Sequence, residues 1–246
     1  MNKVLIITGA GRGIGAATAL MAAERGYAVG INYLKNNNAA ETLVQKIQQS
    51  GGKAIAFAGD VSIEKDVIAL FDKVEDQLGP VQYLVNNAGI LNTQSSVKDM
   101  SVERWQNIFA TNVTGSFLCA REAVRRMSAK KEGGAIVNVS SAASKHGAPF
   151  EYVDYAASKG AIDVMTLGLA KEVAGENIRV NAVRPGIIYT EIHASGGEPD
   201  RPERLRDAIP MKRAGDATEV AHAILWLLSD EASYITGSLV DITGGR

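Results

Sequence analysis

The stretch VLIITGAGRGIGAATA, residues 4–19, decides the fold class of this chain. Its apolar beginning is typical of a buried strand, and its alanine-rich end is typical of a helix. The turn between them is rich in glycine, which lets main-chain N–H groups and the positive end of the helix approach a pyrophosphate. A strand, a glycine turn and a helix in this order predict a nucleotide-binding unit, although flexible turns also collect glycine. The predicted contacts in this turn are Gly9, Gly11, Arg12, Gly13, Ile14 and Gly15.

The rest of the chain repeats this alternation of short apolar runs with longer segments of helical period. The pattern is typical of a parallel sheet that helices cover on both faces. We therefore predict an α/β fold with a Rossmann-type, doubly wound sheet of seven parallel strands. The predicted strands are residues 4–8, 28–33, 54–58, 83–86, 135–139, 179–183 and 238–241. The predicted helices are residues 14–25, 39–49, 64–77, 102–127, 154–173 and 218–228.

Residues 187–210 break the alternation, because glycine and proline are mixed there with charged residues. A segment of this length is more typical of a functional lid than of a simple connection. No repeat, low-complexity tract or linker divides the remaining sequence. We expect a single domain over residues 1–246, with a substrate lid at about residues 187–210.

The overall composition limits the possible partners. The chain is 46% hydrophobic, and 26 Lys and Arg residues balance 27 Asp and Glu residues. Because no long run carries one sign of charge, we expect no binding to nucleic acid or membrane, and a small-molecule substrate fits better. No apolar stretch is long enough for a signal peptide or a membrane span. The single cysteine, Cys119, cannot form a disulfide within the chain, so we expect a cytoplasmic protein.

The end of the second predicted strand indicates which nucleotide is bound. Enzymes that use NAD usually place an acidic residue there to hold the ribose 2'-hydroxyl. Residues 31–36 read INYLKN and contain no carboxylate. Arg12 and Lys35 can instead offer charge-assisted hydrogen bonds to a phosphate, with Asn32 and Tyr33 beside them. NADP(H) is therefore favoured over NAD(H); the alternative is that both cations are solvated surface charges.

Tyr155 and Lys159 lie four residues apart in a predicted helix and therefore share one helical face. A phenol titrates near pH 10, and its use at neutral pH requires the phenolate to be stabilised by roughly 4 kcal/mol. We expect the lysine cation, assisted by the positive ring of an oxidised nicotinamide, to supply much of this stabilisation. Taken alone, this spacing is also that of an ordinary exposed pair.

Two serines follow the strand of residues 135–139, at the edge of the sheet where ligands bind in this class of fold. A hydroxyl there can donate a hydrogen bond to a substrate oxygen as that oxygen gains negative charge. We choose Ser141 over Ser140 for this role, although serine also serves as a capping residue at strand ends.

Asparagine residues mark two further positions. Asn87 and Gly89 follow the fourth predicted strand, where such residues are common in turns. Asn112 lies inside the predicted helix of residues 102–127, where its side chain competes for main-chain hydrogen bonds. We expect a local kink at Asn112 that holds a water molecule.

Seven motifs are found in order along essentially the whole chain. They are TGAGRGIG at residues 8–15, Asp60 with Val61, NNAG at residues 86–89, Asn112, Ser141, YAASK at residues 155–159, and Arg184-Pro185-Gly186. Together they resemble the short-chain dehydrogenase/reductase family, and within it the 3-oxoacyl-[acyl-carrier-protein] reductases and glucose dehydrogenases.

The resemblance implies a role for each matching residue. Tyr155 would be the general acid in reduction and the base in oxidation, and Lys159 would bind the nicotinamide ribose and lower the tyrosine pKa. Ser141 would orient the substrate carbonyl, and Asn112 would hold a relay water leading toward Lys159. The implied cofactor contacts beyond the glycine turn are Asp60 and Val61 at the adenine, Asn87, Ala88 and Gly89 below the cofactor, and Pro185, Gly186, Ile188 and Thr190 at the nicotinamide end. The resemblance also implies a homotetramer.

Two details depart from the commonest family pattern or compete with it. Ser141 and Tyr155 are fourteen positions apart instead of thirteen, which implies a one-residue insertion in the loop between them. Tyr152 is rejected as the catalytic tyrosine because residue 156 is alanine and not lysine. His146 and His193 lie in loops expected near the pocket and are candidates for substrate contact. The histidines are too scattered to predict a metal site.

The sequence therefore predicts an NADP(H)-dependent oxidoreductase that transfers a hydride between nicotinamide and a carbonyl or alcohol, with no metal. The alternative is a catalytically silent NADP(H)-binding sensor or scaffold of the same fold. A sugar, an acyl thioester, a steroid and a small ketone all remain open as substrates, and so does the direction of the reaction.

Overall fold

The structure is a computed structural model that describes residues 3–246. Seven parallel strands form one sheet in the spatial order β3-β2-β1-β4-β5-β6-β9, which confirms the predicted fold class. Two short strands, β7 and β8, pair separately. The strands are β1 (Lys3–Ile7), β2 (Tyr27–Tyr33), β3 (Lys53–Ala58), β4 (Val81–Asn86), β5 (Gly134–Val139), β6 (Ile178–Pro185), β7 (Ile188–Tyr189), β8 (Gly215–Asp216) and β9 (Leu239–Ile242).

The α-helices connect successive strands. They are α1 (Gly13–Glu24), α2 (Asn37–Gln49), α3 (Glu64–Leu78), α4 (Val102–Phe109), α5 (Ser116–Lys130), α6 (Ala143–His146), α7 (Val153–Val173), α8 (Ile192–Ser195), α9 (Arg201–Leu205) and α10 (Ala217–Leu228). The predicted strands and helices all have counterparts, except that residues 102–127 do not form one α-helix. Between α4 and α5, Ala110–Gly115 is a π-helical turn.

The sheet is buried on both faces. On one face its aliphatic side chains pack against α1, α2 and α10. On the other face they pack against α3, α5 and α7. Burial on both sides explains why β1 carries four consecutive buried apolar residues, Val4 to Ile7, instead of an alternating pattern.

The order of strands places the functional edge of the sheet. β1 pairs with β2 on one side and with β4 on the other, so the connections leave β1 and β4 in opposite directions. In doubly wound sheets the crevice at such a reversal, beyond the carboxyl ends of the strands, is the usual ligand site. Within residues 3–246, no helix is long and apolar enough to cross a bilayer.

Candidate active site

A cleft of about 520 Å³ opens beyond the carboxyl ends of the central strands. This volume is in the range of small-molecule and cofactor sites. The cleft is bordered by the glycine loop (residues 8–15), by the turns after β2, β3, β4 and β5, by the start of α7 and by the lid segment (residues 187–210). All the predicted site residues line it except Gly15 and Asn112.

The glycine loop is built to present main-chain N–H groups. Helix α1 begins at Gly13, no side chain caps its first turn, and that turn contains no acidic residue. Gly9 has φ +61°, and a Cβ atom there would lie 2.8 Å from the Cα atom of Ala88. Gly15 does not line the cleft because it packs beneath the loop, where a Cβ atom would lie 2.6 Å from Nδ2 of Asn87. The absent side chain of Gly15 lets the loop close, and a contact between Gly15 and the cofactor stays a prediction.

The NNAG turn braces the glycine loop from below. Nδ2 of Asn87 donates to the carbonyl oxygens of Thr8, at 2.9 Å, and Gly9, at 3.0 Å. The main-chain N–H groups of Asn87 and Ala88 both donate to the Thr8 hydroxyl at 3.0 Å. These hydrogen bonds join the ends of β1 and β4 and hold the loop in one conformation.

The ends of β2 and β3 form the far wall of the cleft. Asn32 is buried, accepts a hydrogen bond from the Gly9 N–H at 3.3 Å and donates to the Gly59 carbonyl at 2.9 Å. The Tyr33 hydroxyl donates to Oδ1 of Asn37. Asp60 lines the cleft while one of its carboxylate oxygens accepts from the N–H and the hydroxyl of Ser62. Asn32 therefore also positions the loop, a role that the sequence did not predict.

Ser141, Tyr155 and Lys159 converge on the same part of the cleft. Nζ of Lys159 lies 5.5 Å from the centre of the Tyr155 ring and donates to the Val139 carbonyl at 2.7 Å. The Ser141 side chain interacts with the Tyr155 phenol and lowers its pKa. The Ser140 hydroxyl instead donates to the Lys159 carbonyl at 3.1 Å and is buried. Both serines line the cleft, but the Ser140 hydroxyl is already bound to the main chain, whereas the Ser141 side chain lies beside the Tyr155 phenol.

Comparison with known proteins agrees with this geometry. A family model described as enoyl-(acyl carrier protein) reductase matches residues 9–246. The chain is 56% identical over 245 residues to the uncharacterized oxidoreductase YgfF of Escherichia coli (strain K12), with 99% of each chain covered. It is 37% identical over 244 residues to glucose 1-dehydrogenase 2 of Bacillus subtilis (strain 168), which covers 99% of this chain and 94% of that one.

A crystal structure of 3-ketoacyl-(acyl-carrier-protein) reductase from Brucella melitensis, complexed with NADH, superimposes with a TM-score of 0.91. It is 34% identical and covers 99% of this chain and 98% of that chain. The chain belongs to the short-chain dehydrogenase/reductase family. This family member is a hydride-transfer oxidoreductase that acts on carbonyl or alcohol groups with a nicotinamide cofactor. Nothing in the comparisons favours a silent sensor or scaffold.

Burial is the main cause of the pKa shifts of Tyr155 and Lys159 in this short-chain dehydrogenase/reductase. Burial raises the pKa of the Tyr155 phenol, and the interaction with Ser141 offsets this only in part. Burial also lowers the pKa of Lys159 to about 8, against the opposing effect of Asp163. The expected lowering of the phenol pKa by Lys159 together with an oxidised nicotinamide ring stays a prediction, because these pKa shifts describe the chain without a cofactor. At neutral pH the phenol keeps its proton and the lysine remains largely charged.

Asn112 lies behind the cleft. Its side chain accepts from the Ile90 N–H at 2.8 Å and donates to the Ile90 carbonyl, at 3.1 Å, and to the Ser158 hydroxyl, at 3.0 Å. The kink expected at Asn112 is confirmed as the π-helical turn. The oxygen and the nitrogen of the side-chain amide both bind protein groups. Asn112 therefore links the turn after β4 to α7. A relay water at Asn112 stays a prediction.

A buried ion pair at the start of α7 was missed by the sequence argument. Nε of Arg104 lies 2.6 Å from Oδ2 of Asp154, which is fully buried. Oδ1 of Asp154 accepts from the Tyr155 N–H at 2.9 Å, and Arg104 also donates to the Thr93 carbonyl at 2.7 Å. This pair fixes the first turn of α7, which carries Tyr155. No motif predicted it, because its partners are 50 residues apart.

The lid segment and the loop before α7 contribute both expected and unexpected side chains to the cleft. His193 is buried, lines the cleft and is hydrogen-bonded through Nε2 to the Ile188 carbonyl at 2.9 Å. His146 also lines the cleft, and its Nδ1 accepts from the Ala148 N–H at 3.2 Å. Arg201 in α9 is an unpredicted member of the cleft and pairs with Glu151 at 2.5 Å. In the part of the chain described, no three His, Cys, Asp or Glu side chains form a group that could hold a metal ion.

Proposed function

We propose that this enzyme is an NADP(H)-dependent reductase or dehydrogenase in which Tyr155 transfers the proton. The observation that supports it best is the convergence of Ser141, Tyr155 and Lys159 on one cleft that also contains the glycine loop. Cofactor binding alone requires no acid or base in the cleft.

The cleft suits a dinucleotide. The uncapped start of α1 offers N–H groups and a positive helix end to a pyrophosphate. A side chain at Gly9 would collide with the main chain of Ala88, so the loop keeps an open surface for close approach. When bound there, the nicotinamide supplies or accepts the hydride.

The residues of the chain handle the proton and the developing charge. Tyr155, with its raised pKa, holds a proton that it can donate to the substrate oxygen. Ser141 can donate a hydrogen bond to the same oxygen, and the ammonium of Lys159 stabilises negative charge nearby.

Replacing Tyr155 with Phe tests this assignment. We expect Tyr155→Phe to lower kcat by about 10³-fold, within the usual range for loss of a general acid, while the Kd of NADPH changes little. Stopped-flow measurement of NADPH oxidation and a fluorescence titration give the two quantities. Tyr152→Phe is the matched control, since Tyr152 lines the same cleft but is not followed by a lysine four residues later. Equal losses in both variants would reject Tyr155 as the acid.

The preference for NADP(H) is supported by the residues after β2. Tyr33, Lys35 and Asn36 line the cleft there without a carboxylate, and Arg12 is exposed beside the glycine loop. We expect NADPH to bind at least tenfold more tightly than NADH, and Tyr33→Asp to remove this preference, because a carboxylate repels the 2'-phosphate. Titration of each nucleotide against both proteins measures the effect. Tighter binding of NADH by the unmodified chain would overturn the proposal.

We also propose that the chain acts as a single domain in a homotetramer in the cytoplasm. Apolar side chains are exposed on helices α4, α5 and α7; they are Val102, Trp105, Phe117, Val164 and Leu167. Burying such a surface against a second copy is favourable. Cys119, the single cysteine, is buried and cannot form a disulfide within the chain, which is consistent with a reducing compartment. Light scattering should give four times the 26.0 kDa chain mass.

A further inference from the structure

The substrate end of the cleft contains cationic side chains together with apolar ones. Leu91, Ala148 and Ile187 are apolar members of the lining, and Arg201 and Arg246 are charged ones. We infer that the carbonyl substrate carries an anionic group, a carboxylate or a phosphate, which Arg246 recognises beside Arg201. This inference rests on the proposed function and specifies its substrate class.

The segment after β9 brings Arg246 to the cleft. The Gly186 N–H donates to the Ile242 carbonyl at 2.9 Å, which ties this segment to the end of β6. The Met211 N–H donates to the Gly244 carbonyl at 3.1 Å. These hydrogen bonds hold residues 242 and 244 from two directions. They therefore place the adjoining residue 246 at the carboxyl edge of the sheet, where the ligand site lies.

Arg201 and Arg246 differ in their partners. Both terminal nitrogens of Arg201 bind the carboxylate of Glu151, at 3.1 and 2.5 Å, and its guanidinium stacks on the Tyr152 ring at 5.1 Å. This pair, in which Arg201 is buried and Glu151 is partly exposed, is formally neutral. None of the ion pairs formed among residues 3–246 includes Arg246. The exposed guanidinium of Arg246 therefore has no carboxylate partner at this end of the cleft and is available to a ligand.

The guanidinium of Arg246 affects the pKa values of two nearby titratable residues, His146 and Glu151. Burial lowers the pKa of His146, and the next largest cause is the positive charge of Arg246. The pKa of Glu151 is lowered mainly by its hydrogen bonds from Arg201, with Arg204 and Arg246 contributing. Arg246 thus lies within electrostatic range of both residues.

Acidic side chains do not cancel this charge locally. Glu151 is paired with Arg201, and Glu198 is paired with Arg204 at 2.5 Å. Glu191 lines the cleft at the glycine loop, where its Oε2 would lie 3.5 Å from a Cβ atom at Gly13. A substrate anion next to Arg246 would form charge-assisted hydrogen bonds that a neutral substrate cannot form.

Binding of two matched ligand pairs tests the inference without turnover. The first pair is levulinate and methyl levulinate, and the second is dihydroxyacetone phosphate and dihydroxyacetone. Their Kd values are measured by calorimetry on the enzyme saturated with NADP+ or NAD+, whichever binds more tightly. We expect at least one anion to bind about tenfold more tightly than its neutral partner. The pair that shows the preference distinguishes a carboxylate from a phosphate.

Two variants identify the residue responsible. Arg246→Gln removes the guanidinium, leaves the main chain of residue 246 as it is, and should abolish the preference. Arg206→Gln is the control, because Arg206 belongs to the lid segment, carries the same charge and does not line the cleft. It should keep the preference.

The inference is overturned if neither pair shows a preference for the anion, or if Arg246→Gln retains it. A failure of the proposed function gives a different result. In that case no carbonyl is reduced, although the anion preference can still be measured by binding. Conversely, equal reduction and equal binding of an acid and its ester would refute only the anion site.

Discussion

The glycine loop and the lid segment border the same cleft but are held in place by different interactions. In the glycine loop the main chain itself is packed, with possible Cβ positions at Gly9 and Gly15 within 3 Å of neighbouring atoms. The lid segment is held by side-chain pairs, such as Arg201 with Glu151 and the Tyr189 hydroxyl with Glu203 at 2.5 Å. A single exposed hydrogen bond, from Arg12 to the Ser195 hydroxyl at 3.1 Å, joins the two regions.

This difference indicates that the glycine loop and the lid segment serve different ligands. A loop that depends on missing side chains accepts almost no change, which suits the binding of a constant group such as a pyrophosphate. A lid that depends on exchangeable side-chain pairs can vary in shape and charge without disturbing the sheet. We therefore expect substitutions in the loop to affect the cofactor and substitutions in the lid to affect the substrate.

The largest expected effect comes from adding one methyl group to the loop. In Gly15→Ala the new Cβ atom would lie 2.6 Å from Nδ2 of Asn87 and 2.8 Å from the Cα atom of Ala10, so the main chain must shift. Overpacking of this kind costs about 1–3 kcal/mol, and we expect the Kd of NADPH to rise about 100-fold. Gly175→Ala is the control, because nothing lies within 4 Å of its added Cβ atom. A similar affinity for NADPH in both variants would contradict the assignment of the glycine loop to the cofactor.

The ionisation of Lys159 gives the next effect. Burial lowers its pKa to about 8, so the ammonium predominates below this pH and is lost above it. We expect kcat/KM for the cofactor, which reports the free enzyme, to fall about tenfold per pH unit above pH 8. A profile that stays flat to pH 10 would show that the charge on Lys159 is not required.

The free energy of unfolding should increase with pH over the range in which activity falls. Between about pH 8 and the ordinary lysine pKa, the unfolded chain binds more protons than the folded one, so stability rises with pH. Lys159→Met should remove this contribution in urea titrations repeated across that range.

The smallest of these effects is expected in the lid. Glu151→Gln leaves Arg201 largely buried without its ionic partner, so we expect the KM for a carbonyl substrate to rise about fivefold while the Kd of NADPH stays within twofold. Steady-state kinetics at saturating cofactor measures the first quantity. Asp207→Asn, which changes an exposed lid carboxylate, should leave both nearly unchanged. A loss of cofactor affinity in Glu151→Gln would mean that the lid also serves the nucleotide.

The parts of the site that were predictable are those carried by short motifs. The glycine loop, the NNAG turn and the Tyr155–Lys159 pair each lie within a few residues of chain, so their geometry follows from one turn or one helix face. The contacts of Asn112 with Ile90 and Ser158 span 22 and 46 residues, and only the poor helix propensity of asparagine hinted at them. The pairs of Arg104 with Asp154 and of Arg201 with Glu151 carry no local signal at all.

By itself, the sequence determined the doubly wound sheet, the glycine loop after its first strand and the placing of Tyr155 and Lys159 on one helical face. These depend on hydrophobic periodicity and on local spacing, both of which can be read along a chain. Only the tertiary structure decided the raised pKa of Tyr155, the lowered pKa of Lys159 and the presence of Arg201 and Arg246 in the cleft lining. Burial and charge–charge distances depend on residues remote in sequence, and therefore exist only once the chain is folded.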